Sequence, residues 1–197
     1  MALDMNNFTS NQKEQSAVKS NRKLRIGIIG TGGISGSHIP AYLRQEDVEL
    51  AAGCDLIPGK AESKFRYYKI EGGKFFTDYK EMIDTVEMDA VSVCTYNSTH
   101  AECAIYALEH GLNVLLEKPF TVTLEEAAAV MRAEKKSGKF VSVGFQPRFD
   151  ANMQMIKKIV QSGELGRVFY VQTGGGRRHG IPVSWTDTFI QKDKAGL

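Results

Sequence analysis

The sequence predicts an α/β fold: a doubly wound parallel sheet followed by the start of a second α/β unit. Three observations predict it. Short apolar runs alternate with helical stretches from Leu24 to Phe145, the pattern of right-handed βαβ crossovers with helices on both faces of one sheet. The first run, Leu24 to Ile29, ends in a glycine cluster spaced Gly30-x-Gly32-x-x-Ser35. The second run, Val48 to Cys54, ends in an acid, Asp55, which follows Ser35 by 20 residues.

Each of these parts has a physical task. Gly30 permits a tight turn from strand into helix. Gly32 lacks a Cβ, so a phosphate can approach the backbone. A helix starting near Gly33 aims free N–H groups and a partial positive charge at that phosphate. Gly30, Gly32, Gly33 and Ile34 thus form a candidate cradle for a pyrophosphate, and Asp55 sits where a carboxylate accepts hydrogen bonds from adenosine ribose hydroxyls. Ser35 stands where the fingerprint prefers Gly or Ala, and it is small enough to keep the helix close to the sheet. The pattern predicts a dinucleotide site. Two other readings use the same residues: a methyltransferase-like site, and a turn that needs no ligand.

The remaining elements follow in order. Residues 1–22 are rich in Asn, Gln, Ser and Lys without any period and read as a disordered tail. A helix from about Ile34 to Gln45 contains Pro40, which should kink or divide it; His38 on the same helix reads as solvent-facing or packed. Pro58 to Lys69 reads as a surface helix opened by proline, broken by Gly72-Gly73. Lys74 to Phe76 is a short strand, Asp78 to Thr85 a short helix, and Asp89 to Cys94 a buried strand. Thr99-x-x-Glu102 predicts a capping box opening a helix that ends at Gly111. Asn113 to Leu116 is a strand. A second capping box, Thr123-x-x-Glu126, opens a helix to about Lys136, and Phe140 to Phe145 is the last strand of the set. From Gln146 the pattern changes: an amphipathic helix over Asp150–Ser162, a turn at Gly163–Gly166, and a strand start over Val168–Thr173. We therefore place a tail at 1–22, a nucleotide-binding domain at 23–145, and part of a second domain at 146–197. The last ~50 residues are too few to bury a core alone.

Composition narrows the function classes. The chain has 197 residues, 42% hydrophobic and 24% charged, which is ordinary for a soluble globular protein. A formal net charge of +2 with no basic block points away from nucleic acid. No apolar run approaches the ~20 residues that span a bilayer, and residues 1–21 hold no hydrophobic signal core; the cytoplasm is the default compartment. The three cysteines, Cys54, Cys94 and Cys103, form no CxxC pair and read as buried free thiols rather than metal ligands.

Candidate chemistry gathers at strand ends. Asp55, Thr95, Asn97, His100, Glu117 and Lys118 all follow apolar runs, and ligands on such sheets collect at the carboxyl ends of the strands. Lys118 is the candidate for catalysis. An ammonium there can bind an alcohol or carbonyl oxygen and pass a proton while hydride moves to or from a nicotinamide, and Pro119 restricts Lys118 to an extended conformation. An exposed lysine at a strand end is the plain alternative. His100 reads equally as a ligand contact or a capping residue. Arg148, Arg177, Arg178, His179 and Trp185 lie beyond the sheet; they are candidates to face a polyhydroxylated or anionic substrate, with a solvated surface as the simpler reading.

These residues carry a family resemblance. G-I-I-G-T-G-G-I-S from Gly27 to Ser35, Cys54-Asp55, T-Y-N-S-T-H from Thr95 to His100, Glu117-Lys118-Pro119, and V-G-F-Q-P-R-F from Val143 to Phe149 resemble the glucose–fructose oxidoreductase/inositol dehydrogenase/MocA (Gfo/Idh/MocA) family, in its order and spacing. The resemblance implies an N-terminal Rossmann domain binding NAD, with NADP possible, and a C-terminal α/β domain often used for oligomer contacts. It implies hydride transfer between the nicotinamide and a CH–OH group of a sugar or polyol. It makes Lys118 the family's catalytic lysine and puts Asn97 and His100 at the nicotinamide side. Tyr96 stands where the family often has proline. The family's second catalytic cluster, a glycine-rich segment leading to an Asp and a His, would begin near Lys194–Leu197, so the chain is expected to stop inside its second domain. A non-catalytic dinucleotide-binding module is the alternative, and a homo-oligomer is the expected assembly.

Overall fold

The computed structural model describes residues 22–175 and 190–196. These fall into two compact units, 22–144 with 190–196 and 145–175.

The first unit is built on six parallel strands: β1 (Leu24–Ile29), β2 (Val48–Cys54), β3 (Lys74–Phe76), β4 (Ala90–Val93), β5 (Asn113–Leu116) and β6 (Val141–Val143). Their order across the sheet is β3-β2-β1-β4-β5-β6. The order reverses between β1 and β4, and in such sheets the ligand crevice lies at that point, beyond the carboxyl ends of the strands. Between the strands run α1 (Ser35–Leu43), α2 (Lys60–Tyr67), α3 (Tyr79–Thr85), α4 (His100–Glu109) and α5 (Leu124–Ser137).

Alternation along β1 divides the core in two. Ile26 and Ile28 pack with Ile39 of α1, Leu50 and Phe65 of α2. Ile29 belongs to the other layer, with Met82 of α3, Leu108 of α4 and Val130 of α5. Successive strand residues face opposite sides, so each face receives its own helices, as the doubly wound reading requires.

Three local expectations for the first unit are corrected. Helix α1 runs through Pro40 without dividing. Proline cannot donate to the carbonyl four residues earlier, but the Tyr68 hydroxyl donates to the Gly36 carbonyl at 3.2 Å and takes that place. The capping box at Thr99 does not form; the Thr99 hydroxyl donates instead to the Tyr96 carbonyl at 3.0 Å, because a 3-10 turn over Asn97–Thr99 leads into α4. The box at Thr123 and Glu126 does form. Arg22, assigned to the tail, makes a bidentate pair with Asp89 at 2.6 and 2.7 Å. The rest of that tail lies outside the described residues.

In the second unit a 3-10 turn (Gln146–Phe149) precedes α6 (Ala151–Gln161), which Asp150 caps through the N–H groups of Asn152 and Met153. Residues 168–173 form no strand and are exposed. A strand needs a hydrogen-bonded neighbour, and none lies beside this segment among the described residues. A last turn of helix, α7 (Lys192–Ala195), belongs to the first unit. No described helix is long and apolar enough to cross a membrane.

Candidate functional site

The glycine turn is forced by its surroundings. Gly30 has φ +87°, and a Cβ there would meet the Cys94 carbonyl oxygen at 2.6 Å. Strand β4 ends against the turn, so only glycine fits. At Gly32 and Gly33 a Cβ would meet nothing within 4 Å; these residues face open space above the sheet. Ser35 is fully buried, and its hydroxyl donates to the Gly32 carbonyl at 2.7 Å. The first N–H groups of a helix have no partner within it, and α1 opens directly from this turn with no side-chain cap. An anion fits this cradle: open space, unpaired donors and the positive end of a helix coincide.

Asp55 is 8% exposed at the end of β2. Its Oδ2 accepts from the Thr31 N–H at 2.9 Å and the Thr31 hydroxyl at 3.0 Å, and pairs with the Lys60 ammonium at 2.9 Å. Among the described residues its Oδ1 accepts only from the Ile57 N–H, at 3.1 Å. Burial pushes this carboxyl up, but the donors from Lys60, Ile57 and Thr31 outweigh it and hold the pKa below the usual carboxylate range. One oxygen is saturated and the other keeps acceptor capacity toward a ribose hydroxyl. Sequence reasoning missed both lysines of α2 that serve this end of the site. Lys60 pairs with Asp55, and Lys64, one turn on, donates to the Gly32 carbonyl at 3.1 Å. Their spacing of four residues on one helix was the available signal; that helix opens at Lys60 behind Gly59, so Pro58 precedes it rather than starting it.

On the other side of the glycine turn, β4 is followed by Cys94 and Thr95, and the Thr95 N lies 3.0 Å from where a Gly30 Cβ would stand. Asn97 donates its side-chain N–H to the Ala195 carbonyl at 2.8 Å. The Lys194 ammonium stands 5.5 Å from the centre of the Tyr96 ring. The segment carrying α7 therefore docks on the loop after β4, a contact between residues 98 apart in sequence.

His100 is 1% exposed. Its Nδ1–H donates to the Pro119 carbonyl at 2.8 Å, while Nε2 has no hydrogen-bond partner among the described residues. Burial pushes its pKa below the ordinary histidine range, against the opposing pull of the Pro119 and Thr95 backbone and the Glu117 carboxylate. His100 therefore supports the loop that carries Lys118 from beneath.

Glu117 and Lys118 follow β5 directly. Glu117 is 3% exposed; its Oε1 accepts from His38 Nε2 at 2.8 Å and its Oε2 from the Lys118 N–H at 3.2 Å. Lys118 is exposed. The peptide bond to Pro119 is cis. His38 is thus packed rather than solvent-facing. Arg148 is exposed in the second unit, with its guanidinium 5.8 Å from the Phe145 ring centre. Arg177, Arg178, His179 and Trp185 lie outside the described residues.

The three cysteines are free and buried, and burial pushes each thiol up to about 12. They are unreactive packing residues. A hollow at the carboxyl ends of α4 and α5 is lined by Leu108, Glu109, Gly111, Ala133, Lys136 and Ser137 and includes none of the predicted site residues.

The sequence model of the Gfo/Idh/MocA oxidoreductases, described as an oxidoreductase family with an NAD-binding Rossmann fold, matches residues 24–145. Inositol 2-dehydrogenase of Salmonella typhimurium is 35% identical over 150 residues, covering 75% of this chain and 44% of that protein. D-glucoside 3-dehydrogenase of Escherichia coli is 33% identical over 174 residues, covering 88% and 48%. Among solved structures, myo-inositol 2-dehydrogenase of Lactobacillus plantarum superposes with a TM-score of 0.69 at 32% identity, covering 76% of this chain and 44% of that one. The WlbA dehydrogenase of Bordetella pertussis, solved with NADH and UDP-GlcNAcA, superposes with a TM-score of 0.70 at 29% identity, covering 75% and 45%. The chain thus spans about half the length of the curated relatives it matches.

Proposed function

The chain belongs to the Gfo/Idh/MocA oxidoreductases, with their NAD-binding Rossmann fold, and from that membership we propose that it transfers hydride between NAD and a CH–OH group of a sugar or polyol. The observation that carries the reading is the shared rim: the open glycine cradle after β1 and the exposed Lys118 after β5 lie at the carboxyl ends of one parallel sheet. Relatives named for inositol and D-glucoside as substrates support the polyol class.

The backbone of Gly30, Gly32, Gly33 and Ile34 receives the pyrophosphate, and Oδ1 of Asp55, which keeps acceptor capacity beside its bond from the Ile57 N–H, holds the adenosine ribose. A carboxylate at this point repels a 2′-phosphate, so NAD is preferred to NADP; the Lys60 ammonium only partly offsets that charge. Bound NAD supplies the hydride acceptor. Lys118 Nζ takes the proton of the substrate hydroxyl in oxidation and returns it to the carbonyl oxygen in reduction. Thr95 and Asn97 line the nicotinamide side, while Glu117 and His100 hold the Lys118 loop. We place the protein in the cytoplasm, where free buried thiols persist. It is further read as a homo-oligomer, on the support of apolar side chains left exposed at Phe169, Tyr170 and Val171.

Fluorescence titration with NADH, beside an absorbance assay of NAD reduction with a polyol panel, tests the reading. Lys118→Ala is expected to keep NADH affinity and lower turnover by about 10²- to 10⁴-fold. Equal loss of binding and turnover would make Lys118 structural, and binding without turnover in the parent chain would favour the non-catalytic module.

A further inference from the structure

Behind Glu117 lies a chain of buried polar groups that the hydride-transfer reading leaves unused. Helix α1 contributes His38, 7% exposed, and strand β4 contributes Ser92, fully buried. His38 Nε2 is 2.8 Å from Glu117 Oε1, and His38 Nδ1 is 3.3 Å from Ser92 Oγ. Ser92 Oγ is in turn 2.6 Å from the Tyr42 hydroxyl. The carboxylate can only accept, so the hydrogen on His38 Nε2 points to Glu117. One consistent set of directions then satisfies every group. The Tyr42 hydroxyl donates to Ser92, Ser92 donates to His38 Nδ1, and His38 donates to Glu117.

The chain ends on the Lys118 backbone. The second oxygen of Glu117 accepts from the N–H of Lys118 itself, and the first lies where a Cβ on Gly144 would press at 3.1 Å. Glu117 is therefore held between β6, α1 and the residue that follows it. A carboxylate taken out of water is costly unless fully bonded, and an apolar pair of similar volume would hold helix and sheet together at least as well. Burial of these groups needs a reason other than cohesion, and the bond to Lys118 supplies one.

We propose that His38, backed by Ser92 and Tyr42, is a positioning residue for Lys118: it fixes the Glu117 carboxylate on the Lys118 amide and so sets the backbone from which the amine enters the crevice. The proposal rests on the reading of Lys118 as the proton-transfer group.

Site-resolved amide hydrogen exchange of the whole chain tests it, with NADH titration alongside. In His38→Leu the Lys118 amide is expected to exchange at least about tenfold faster, while the Val114 amide in β5 exchanges as in the parent. His38→Gln restores an N–H toward Glu117 and should bring Lys118 back to within about threefold of the parent. Should His38→Leu fail to fold, Ser92→Ala reads the same link, with an expected acceleration of about threefold at Lys118. NADH affinity stays within about twofold in each variant. An unchanged Lys118 amide, a glutamine variant that behaves like leucine, or equal acceleration at Val114 would overturn the proposal. Absence of NADH binding in the parent would instead defeat the dinucleotide reading, since the exchange measurement does not depend on the ligand.

Discussion

Asp55 shows how much one side chain does at the edge of a sheet. Three donors converge on one of its oxygens and a fourth on the other. Thr31, 2% exposed, has no water to replace the lost acceptor. Asp55→Ala should therefore cost about 1–3 kcal/mol of stability, the usual penalty for stranding a buried donor, read as a lower midpoint of denaturant unfolding at unchanged slope. The same variant should narrow any preference for NADH over NADPH, because the charge that repels a 2′-phosphate is gone while Lys60 and Lys64 remain. The acid was legible in the sequence from its distance after the glycine turn. Its partners were not, since Lys60 approaches through a helix whose orientation depends on packing of Phe65 beneath it. The pairing of His38 with Glu117 joins residues 79 apart, and no local pattern announces it.

At the scale of the element, α1 survives its proline because another helix region repairs it. Tyr68 donates to the carbonyl that Pro40 leaves free. Tyr68→Phe should cost about 1 kcal/mol. In a Pro40→Ala background the restored backbone N–H takes that carbonyl, and the cost of Tyr68→Phe should fall by roughly half or more; a double-mutant cycle on thermal unfolding measures the coupling. The two sequence-matched boxes make a second contrast. Thr123→Ala should lose about 1 kcal/mol, since Thr123 and Glu126 bond reciprocally. Thr99→Ala should lose clearly less, because its hydroxyl serves a turn rather than the helix N–H groups. The same unfolding experiment ranks the pair. Identical residue spacing gave two outcomes because the chain enters α5 in extended form at Thr123 but enters α4 from a 3-10 turn.

For the whole molecule, buried titratable groups set the response to acid. His100 has its pKa lowered by burial, so the unfolded chain binds the proton more readily than the folded one. Its contribution is complete above the unfolded value of about 6.5 and is lost as pH falls through the lower folded value. Asp55 and Asp89, both held below the usual carboxylate range, add a further loss at more acidic pH with the same sign. Stability from urea unfolding should thus decline as pH drops below about 6.5. His100→Asn can keep an N–H toward Pro119 without titrating, and should flatten the first part of that decline while leaving the carboxylate part intact.

What the sequence by itself determined is everything a residue settles with its near neighbours. That includes the six strands and their alternation with helices, the glycine turn at Gly30, the boxed start at Thr123, the proline after Lys118, and the family. What only the tertiary structure decided is which distant groups meet: Tyr68 with Gly36, Lys60 with Asp55, Asn97 with Ala195, and His38 with Glu117. The reason is physical. Backbone preference and hydrophobic period act over a turn of helix or a pair of strand residues, whereas a buried hydrogen bond depends on the order in which strands pair. Only once β4 and β5 lie beside β1 does the helix after β1 come over the carboxylate that ends β5.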